Sequence, residues 1–151
     1  MNPEGELLYG TCVALGGDAA ILTGPSGSGK SDLALRFILE TPAELQAALV
    51  SDDQTCVEER GGTLMASAPP AIAGKIEVRG IGIVDVPRRA EARLRLIVRF
   101  AAGKDIPRLP PSPLPVQTVC GIALPVLLLA PFEASAPVKL RLAFAHLIAE
   151  N

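Results

Sequence analysis

Cysteine, histidine and charge of a single sign are all scarce in this 151-residue chain, and each shortage closes off a class of function. The three cysteines, Cys12, Cys56 and Cys120, lie far apart with no CxxC pair. That argues against a disulfide scaffold or a zinc site and for reduced thiols that behave as small hydrophobes. The single histidine, His146, falls in a helical stretch and is assigned no chemistry. Basic and acidic residues nearly balance, 14 against 16, for a formal net charge of −2, so no nucleic-acid partner is expected. The arginine-bearing stretch RRAEARLRL at 88–96 is interleaved with Glu91 and apolar residues and reads as a solvated strand face or loop. Long apolar runs are missing too. The longest, GIALPVLLLAPF, is short and interrupted by proline, so no membrane span is expected. MNPEGELLYG has no basic segment leading into an apolar core, which argues against a signal peptide. A cytoplasmic protein is the expectation.

What is present reads as a single α/β domain over residues 1–151, long enough for a sizeable core, without internal repeats. CVALGGDAAILTG gives two short strands around a turn at Gly16, Gly17 and Asp18. SDLALRFILE is a helix whose polar stripe is Asp32, Arg36 and Glu40, ended by Thr41 and Pro42. AALVSDD is a buried strand closing on two acids, and TCVEERGGTLMASAP a hairpin turning at Gly61 and Gly62. KIEVRGIGIVDV alternates like a strand and breaks at Gly80 and Gly82. In RLRLIVRF the alternation places Leu94, Leu96 and Val98 on one face and Arg93, Arg95 and Arg99 mostly on the other, with Ile97 an exception. PRLPPSPLP is a stiff connector, ALPVLLLAPF a last strand, and PVKLRLAFAHLIAEN a helix with Val138, Leu142, Ala145 and Ala149 on one side.

Four constellations carry chemistry. GPSGSGKS, Gly24 to Ser31, fits the GxxxxGK[ST] phosphate-binding loop and stands between a strand and a helix, as that loop requires. Its glycines let backbone amides converge on phosphate, and the helix start adds its positive dipole end. Lys30 would lie along the β- and γ-phosphates and the Ser31 hydroxyl would meet Mg²⁺. The candidate nucleotide-binding residues are Gly24, Pro25, Ser26, Gly27, Ser28, Gly29, Lys30, Ser31 and the first-turn Asp32. Next, Asp52 and Asp53 follow the apolar run of VSDD, where a metal-side acid should stand. On an extended chain they point apart, so one can reach the metal while the other does proton work. In EVRGIGIVDV, Glu77 and Arg79 share a strand face, suited to metal and phosphate or to a cross-strand ion pair. Finally, Lys139 stands near the start of the last helix, where the dipole disfavours a cation; a phosphate nearby would explain it, as would surface chance.

GPSGSGKSDLAL, LVSDD and EVRGIGIVDV, in that order and spacing, resemble the catalytic domain of the HPr kinase/phosphorylase family, over roughly residues 7–145. The most specific part is EVRGIGIVDV, which is similar to the family's own signature. CVA ahead of the loop and PFEASAP near the end are similar to the short alphaproteobacterial form. The resemblance implies a P-loop-containing sheet with flanking helices, related to phosphoenolpyruvate carboxykinase. It implies bifunctional enzymes that act on a serine of HPr, the histidine-containing phosphocarrier protein, with ATP and Mg²⁺. It also implies a hexamer. Asp52 then looks like the acid that takes the serine proton and assists phosphorolysis, Asp53 its metal-side companion, and Glu77 a second Mg²⁺ ligand, beside Ser31.

Three departures mark this chain. Tyr9 stands where the family usually has histidine, and a phenol changes charge far less readily near neutral pH, which bears on phosphorylase activity. The length leaves no room for the N-terminal regulatory domain of long forms. SAPVKLRLAF replaces the family's PGRN segment, with Lys139 as the nearest cation, a point charge without the arginine fork. Two other readings stay open at this point: a nucleotide-binding regulator without transfer activity, and a P-loop small-molecule kinase. No arginine-bearing lid for the latter and no NKxD motif for a GTPase is present.

Overall fold

The computed structural model describes residues 5–148. Its scaffold is one long strand, β9 (Glu91–Phe100), in which buried aliphatic residues are interleaved with three arginines, and the other strands pair around it. β1 (Gly5–Tyr9), β2 (Thr11–Leu15), β3 (Asp18–Thr23), α1 (Lys30–Glu40), β4 (Ala47–Ser51), β5 (Gln54–Arg60), β6 (Thr63–Ser67), β7 (Lys75–Val78) and β8 (Gly82–Asp85) precede it in the chain. After β9 come β10 (Val116–Val119), β11 (Ile122–Leu129), α2 (Ala136–Ala143) and a π-helical turn, Phe144–Ile148. β3 lies parallel to β9 on one side; β6 pairs antiparallel with its start and β11 parallel with its end on the other. The strand order is β1-β5-β6-β9-β3-β2-β4, with β10 against β11. β7 and β8 form a separate hairpin.

The sheet curls because two extended runs each serve both of its ends. β1 and β2 are one run interrupted at Gly10; β4 and β5 are another interrupted at Asp52 and Asp53. β1 pairs with β5, while β2 pairs with β4 and β3. The two interruptions lie against each other: the Gly10 N–H donates to Asp53 O at 2.9 Å and Thr55 Oγ1 donates to Gly10 O at 3.0 Å. Only glycine fits there, since a Cβ on residue 10 would lie 2.8 Å from both Ile21 Cγ1 and the Leu22 carbonyl oxygen. Gly10→Ala is therefore expected to destabilise the fold by about 1–3 kcal/mol, the usual range for overpacking. Urea unfolding checks it, and a midpoint unchanged from wild type would show that the corner yields.

Two cores result. Inside the curl lie Cys12, Ile21, Val57, Leu64, Leu94 and Ile97. Burial pushes the Cys12 thiol far up from its ordinary value, so it stays a neutral hydrophobe. All three cysteines are free. The second core fills the space between the sheet and the helices, with Leu22, Leu33, Phe37, Leu49, Leu96 and Leu140. Phe37 stacks there on Phe144, centroids 5.8 Å apart. Thr41, extended at φ −80° and ψ 134°, ends α1 ahead of Pro42 as the sequence implies.

Two expectations from periodicity are corrected. Leu94 does not share a face with Leu96 and Val98. The register against β3 slips between Ala19, opposite Leu94, and Ala20, opposite Leu96, leaving Arg95 as the extra residue of a bulge. Leu94 thus joins Ala92 and Ile97 inside the curl, while Leu96 and Val98 face the helices. Arg95 uses its freed position to donate to the Ile148 carbonyl at 3.1 Å and to pair with Asp18 at 3.4 Å. The second correction concerns the last helix. Its packed side is Ala136, Pro137, Leu140, Ala143, Phe144 and Ile148, whereas Val138 and Leu142 are half-exposed and Ala145 exposed. Both stripes are apolar at helical spacing, and the wider turn at Phe144–Ile148 brings Phe144 and Ile148 onto the Phe37 side. Ala149 lies outside the described residues.

Candidate active site

Since β3, β9 and β11 run parallel, the loops that leave their C-terminal ends emerge along one edge, where open α/β sheets bind ligands. The loop after β3 is the glycine-rich stretch. Gly27 and Gly29 take φ of +79° and +100°, open to glycine without strain. Lys30 donates its ammonium to Gly24 O at 2.7 Å and Pro25 O at 3.1 Å, spanning the loop. The Ser28 N–H closes onto Pro25 O at 3.1 Å. Its hydroxyl, in contrast, is buried and has no hydrogen-bond partner among the described residues. Pro25, Ser26 and Gly27 are exposed at the rim. α1 starts at Lys30, so its first amides face the loop with no intrahelical acceptor. An orphaned hydroxyl, free amides and an ammonium in one loop fit a polyphosphate.

The corner between β4 and β5 faces this loop. Asp52 is buried, and its Oδ1 accepts from Ser31 Oγ at 2.7 Å and from Thr11 Oγ1 at 2.9 Å. Thr11 Oγ1 also accepts the Asp53 N–H at 3.2 Å. Asp53 stands at φ +67°, with its side chain exposed. The two acids diverge, Asp52 inward to the loop serine and Asp53 outward, because the chain bends between β4 and β5 and not because it is extended there. Tyr9, 71% exposed, ends β1 opposite Gln54, one residue from Asp53. Thr11 gave no signal of its own in the sequence; only the meeting of Gly10 and Asp53 brings it to Asp52.

The remaining candidates lie further out. Glu77 is exposed on β7, whose buried neighbour Ile76 anchors the hairpin in the helix-side core. It forms neither the ion pair with Arg79 that the sequence allows nor a bond to the loop; the ion pair of this hairpin is Lys75–Asp85, at 3.2 Å. Gly80 and Gly82, at φ +87° and +122°, make its turn. Asp32 pairs with Arg36 at 3.0 Å. Lys139 meets Glu133 at 2.7 Å, an acid that answers its place at the helix start. Arg36 also donates to the Pro131 and Glu133 carbonyls, tying α1 to the loop after β11. No group of three or more His, Cys, Asp or Glu is gathered for a metal among the described residues. Ser31, Asp53 and Glu77 still offer hard oxygen donors of the kind Mg²⁺ takes with few carboxylates when phosphates complete its shell.

Residues 3–99 match the family described as HPr Serine kinase C-terminal domain. The chain belongs to this family. The match takes in the phosphate loop, the Asp52–Asp53 corner and the β7–β8 hairpin. An HPr kinase/phosphorylase from Clostridium botulinum is 37% identical over 112 residues, 70% of this chain and 35% of that protein. One from Clostridium tetani is 41% identical over 87 residues, 58% of this chain and 27% of that protein. The chain thus spans about a third of the length of the curated relatives it matches, 35% and 27% in these two. Among solved structures, the Hpr(Ser) kinase/phosphatase from Coxiella burnetii shares the fold with a TM-score of 0.79 at 22% identity, covering 96% of this chain and 92% of that one. The P-loop sheet with flanking helices that the motifs implied is the fold observed.

Proposed function

We propose that this protein is an ATP-dependent serine kinase acting on an HPr-type phosphocarrier protein, with phosphorolysis as the reverse direction. The observation that carries the reading is the 2.7 Å bond from the loop serine, Ser31, to the buried Asp52, which joins a phosphate loop to a carboxylate at one point. Family membership and the family's name support the choice of substrate.

Lys30 would exchange the Gly24 and Pro25 carbonyls for the β- and γ-phosphate oxygens, while the loop amides and Ser28 hold the remainder. Asp52 has Oδ1 fixed by two hydroxyls, and Oδ2 takes no bond from the described residues, so Oδ2 is the atom to accept the serine proton. The serine oxygen forms its bond to the γ-phosphorus as the bond to ADP breaks. In phosphorolysis an oxygen of inorganic phosphate forms its bond to the phosphorus as the bond to the serine oxygen breaks, Asp52 passes the proton of the attacking phosphate to the serine, and pyrophosphate leaves. Ser31, Asp53 and Glu77 would hold Mg²⁺, which offsets charge on the β- and γ-phosphates. Glu77 has to approach through its hairpin. Tyr9, one residue from Asp53 across the β1–β5 pairing, stands where the family usually has histidine, and the reverse direction is expected to be slow for want of an imidazole there.

We extend the proposal to a cytoplasmic homo-oligomer, a hexamer by resemblance. Free thiols favour a reducing compartment. No helix among the described residues is long and apolar enough to cross a membrane. Leu45, Val138 and Leu142 border one uncovered groove, which supports association, and light scattering reads the assembly directly. The test of function mixes the protein with γ-labelled ATP, Mg²⁺ and the HPr-type proteins of the same genome. Label on an HPr serine is expected, and adding inorganic phosphate then tests the reverse. ATP binding without label on any HPr would instead make the protein a nucleotide-binding regulator.

A further inference from the structure

Of the four phenylalanines, Phe37 and Phe144 are stacked in the core and Phe100 is half-buried beside Gly24. Phe132 is different. It is 72% exposed, on the loop that follows β11, at the same sheet edge as the phosphate loop. Its ring lies against Gly29: a Cβ there would meet Phe132 Cε1 and Cζ at 2.9 Å. The residues on both sides are held, since the one guanidinium of Arg36 takes the Pro131 and Glu133 carbonyls and is itself paired with Asp32. Pro131 is buried, and Lys139 fixes the Glu133 carboxylate. An aromatic ring is thus presented to solvent on a braced segment, one residue from Lys30.

We propose that Phe132 is the stacking platform for the base of the bound nucleotide. This rests on the nucleotide-binding reading of the phosphate loop and deepens it. Phosphates lodged over Gly27 to Ser31 leave the ribose and base at the rim, where the Phe132 ring stands. At 72% exposure the ring leaves a face to solvent, and every base has a π-face to lay on it, so the platform takes purines without choosing between them. The Arg36 brace means that little ordering is lost on binding. Glycine at position 29 then has two reasons: its φ of +100° and the room it leaves for this ring. Phe132 lies beyond residues 3–99, outside the family match.

Isothermal titration with two probes, MgATP and inorganic tripolyphosphate, tests this. Phe132→Ala is expected to weaken MgATP roughly tenfold or more, the scale of one base–aromatic stack, and to leave tripolyphosphate unchanged. Phe132→Trp is expected to restore MgATP. Lys30→Ala, which acts on the phosphates, should weaken both probes. Equal weakening of both by Phe132→Ala would overturn the proposal, because the ring would then only shape the loop at Gly29. Wild-type MgATP affinity in Phe132→Ala would overturn it too. If wild-type protein binds tripolyphosphate but gains nothing from the nucleoside, the platform fails while the phosphate loop stands. If it binds neither, both fail.

Discussion

Lys30→Ala is expected to reduce phosphate transfer by roughly 10²–10³-fold, the loss typical when one preorganised donor is removed from a charge-developing site. The expectation follows from where the ammonium sits. It bridges Gly24 O and Pro25 O across the mouth of the loop, at the place where the outer phosphates would lie. In a phosphoryl transfer the protein contributes positioning and charge rather than bonds, so no other group replaces a missing cation at that point. Stability should change little by comparison: the loop carbonyls it leaves are near the exposed residues Pro25, Ser26 and Gly27, and water can take its place. Lys30→Arg sharpens the test, because it keeps the charge but replaces a compact ammonium with a wide planar fork, and it should recover only part of the rate. Single-turnover transfer from labelled ATP, with thermal unfolding alongside, reads both quantities. A Lys30→Ala rate within threefold of wild type would remove the phosphate role of this residue.

The parts of this site that are local in sequence were legible, and the parts that depend on distant meetings were not. Gly24 to Ser31 could be read because the loop, the strand before it and the helix after it are consecutive, and glycine, lysine and serine are each needed at a fixed offset. Asp52 and Asp53 do diverge, but not by the strand alternation that the sequence suggested: β4 ends at Ser51, and Asp53 turns outward in a left-handed bend at φ +67°. Thr11, by contrast, reaches Asp52 only because Gly10 and Asp53 interlock across 43 residues of chain, and no local pattern announces that contact. The bulge at Arg95 defeated simple alternation for the same reason: which residue is extra is decided by β3, not by β9. β10 was hidden behind the proline-rich connector, since its four residues become a strand only by lying on β11. In α2 both candidate faces were apolar, so composition could not choose between them. Phe132 read as the tail of a strand until the sheet edge and Gly29 gave it a place.

The meeting of Gly10 with Asp53 also sets the second large expectation. Asp52→Asn should lower transfer by about 10²–10⁴-fold, the range for a general base, with MgATP affinity close to wild type. The amide keeps the shape of the carboxylate and can still accept from Ser31 and Thr11 through its oxygen. What it cannot do is take a proton. Asp52→Ala goes further, leaving the Ser31 and Thr11 hydroxyls without their acceptor in a buried place, at about 1–3 kcal/mol for each unsatisfied group. Unfolding in urea should therefore separate the two variants while transfer assays do not. Asp53→Asn is the decisive companion. Asp53 is exposed, and its fixed contributions to the corner come from its backbone, the N–H to Thr11 and the carbonyl to Gly10. The amide variant keeps both, so its unfolding should match wild type. Its effect on transfer should be smaller than that of Asp52→Asn and should lessen as Mg²⁺ is raised, as expected of a metal-side group. If Asp53→Asn abolishes transfer at every Mg²⁺ concentration while Asp52→Asn retains it, the proton acceptor is the outward acid. The buried one then serves only to hold Ser31 in line with the loop.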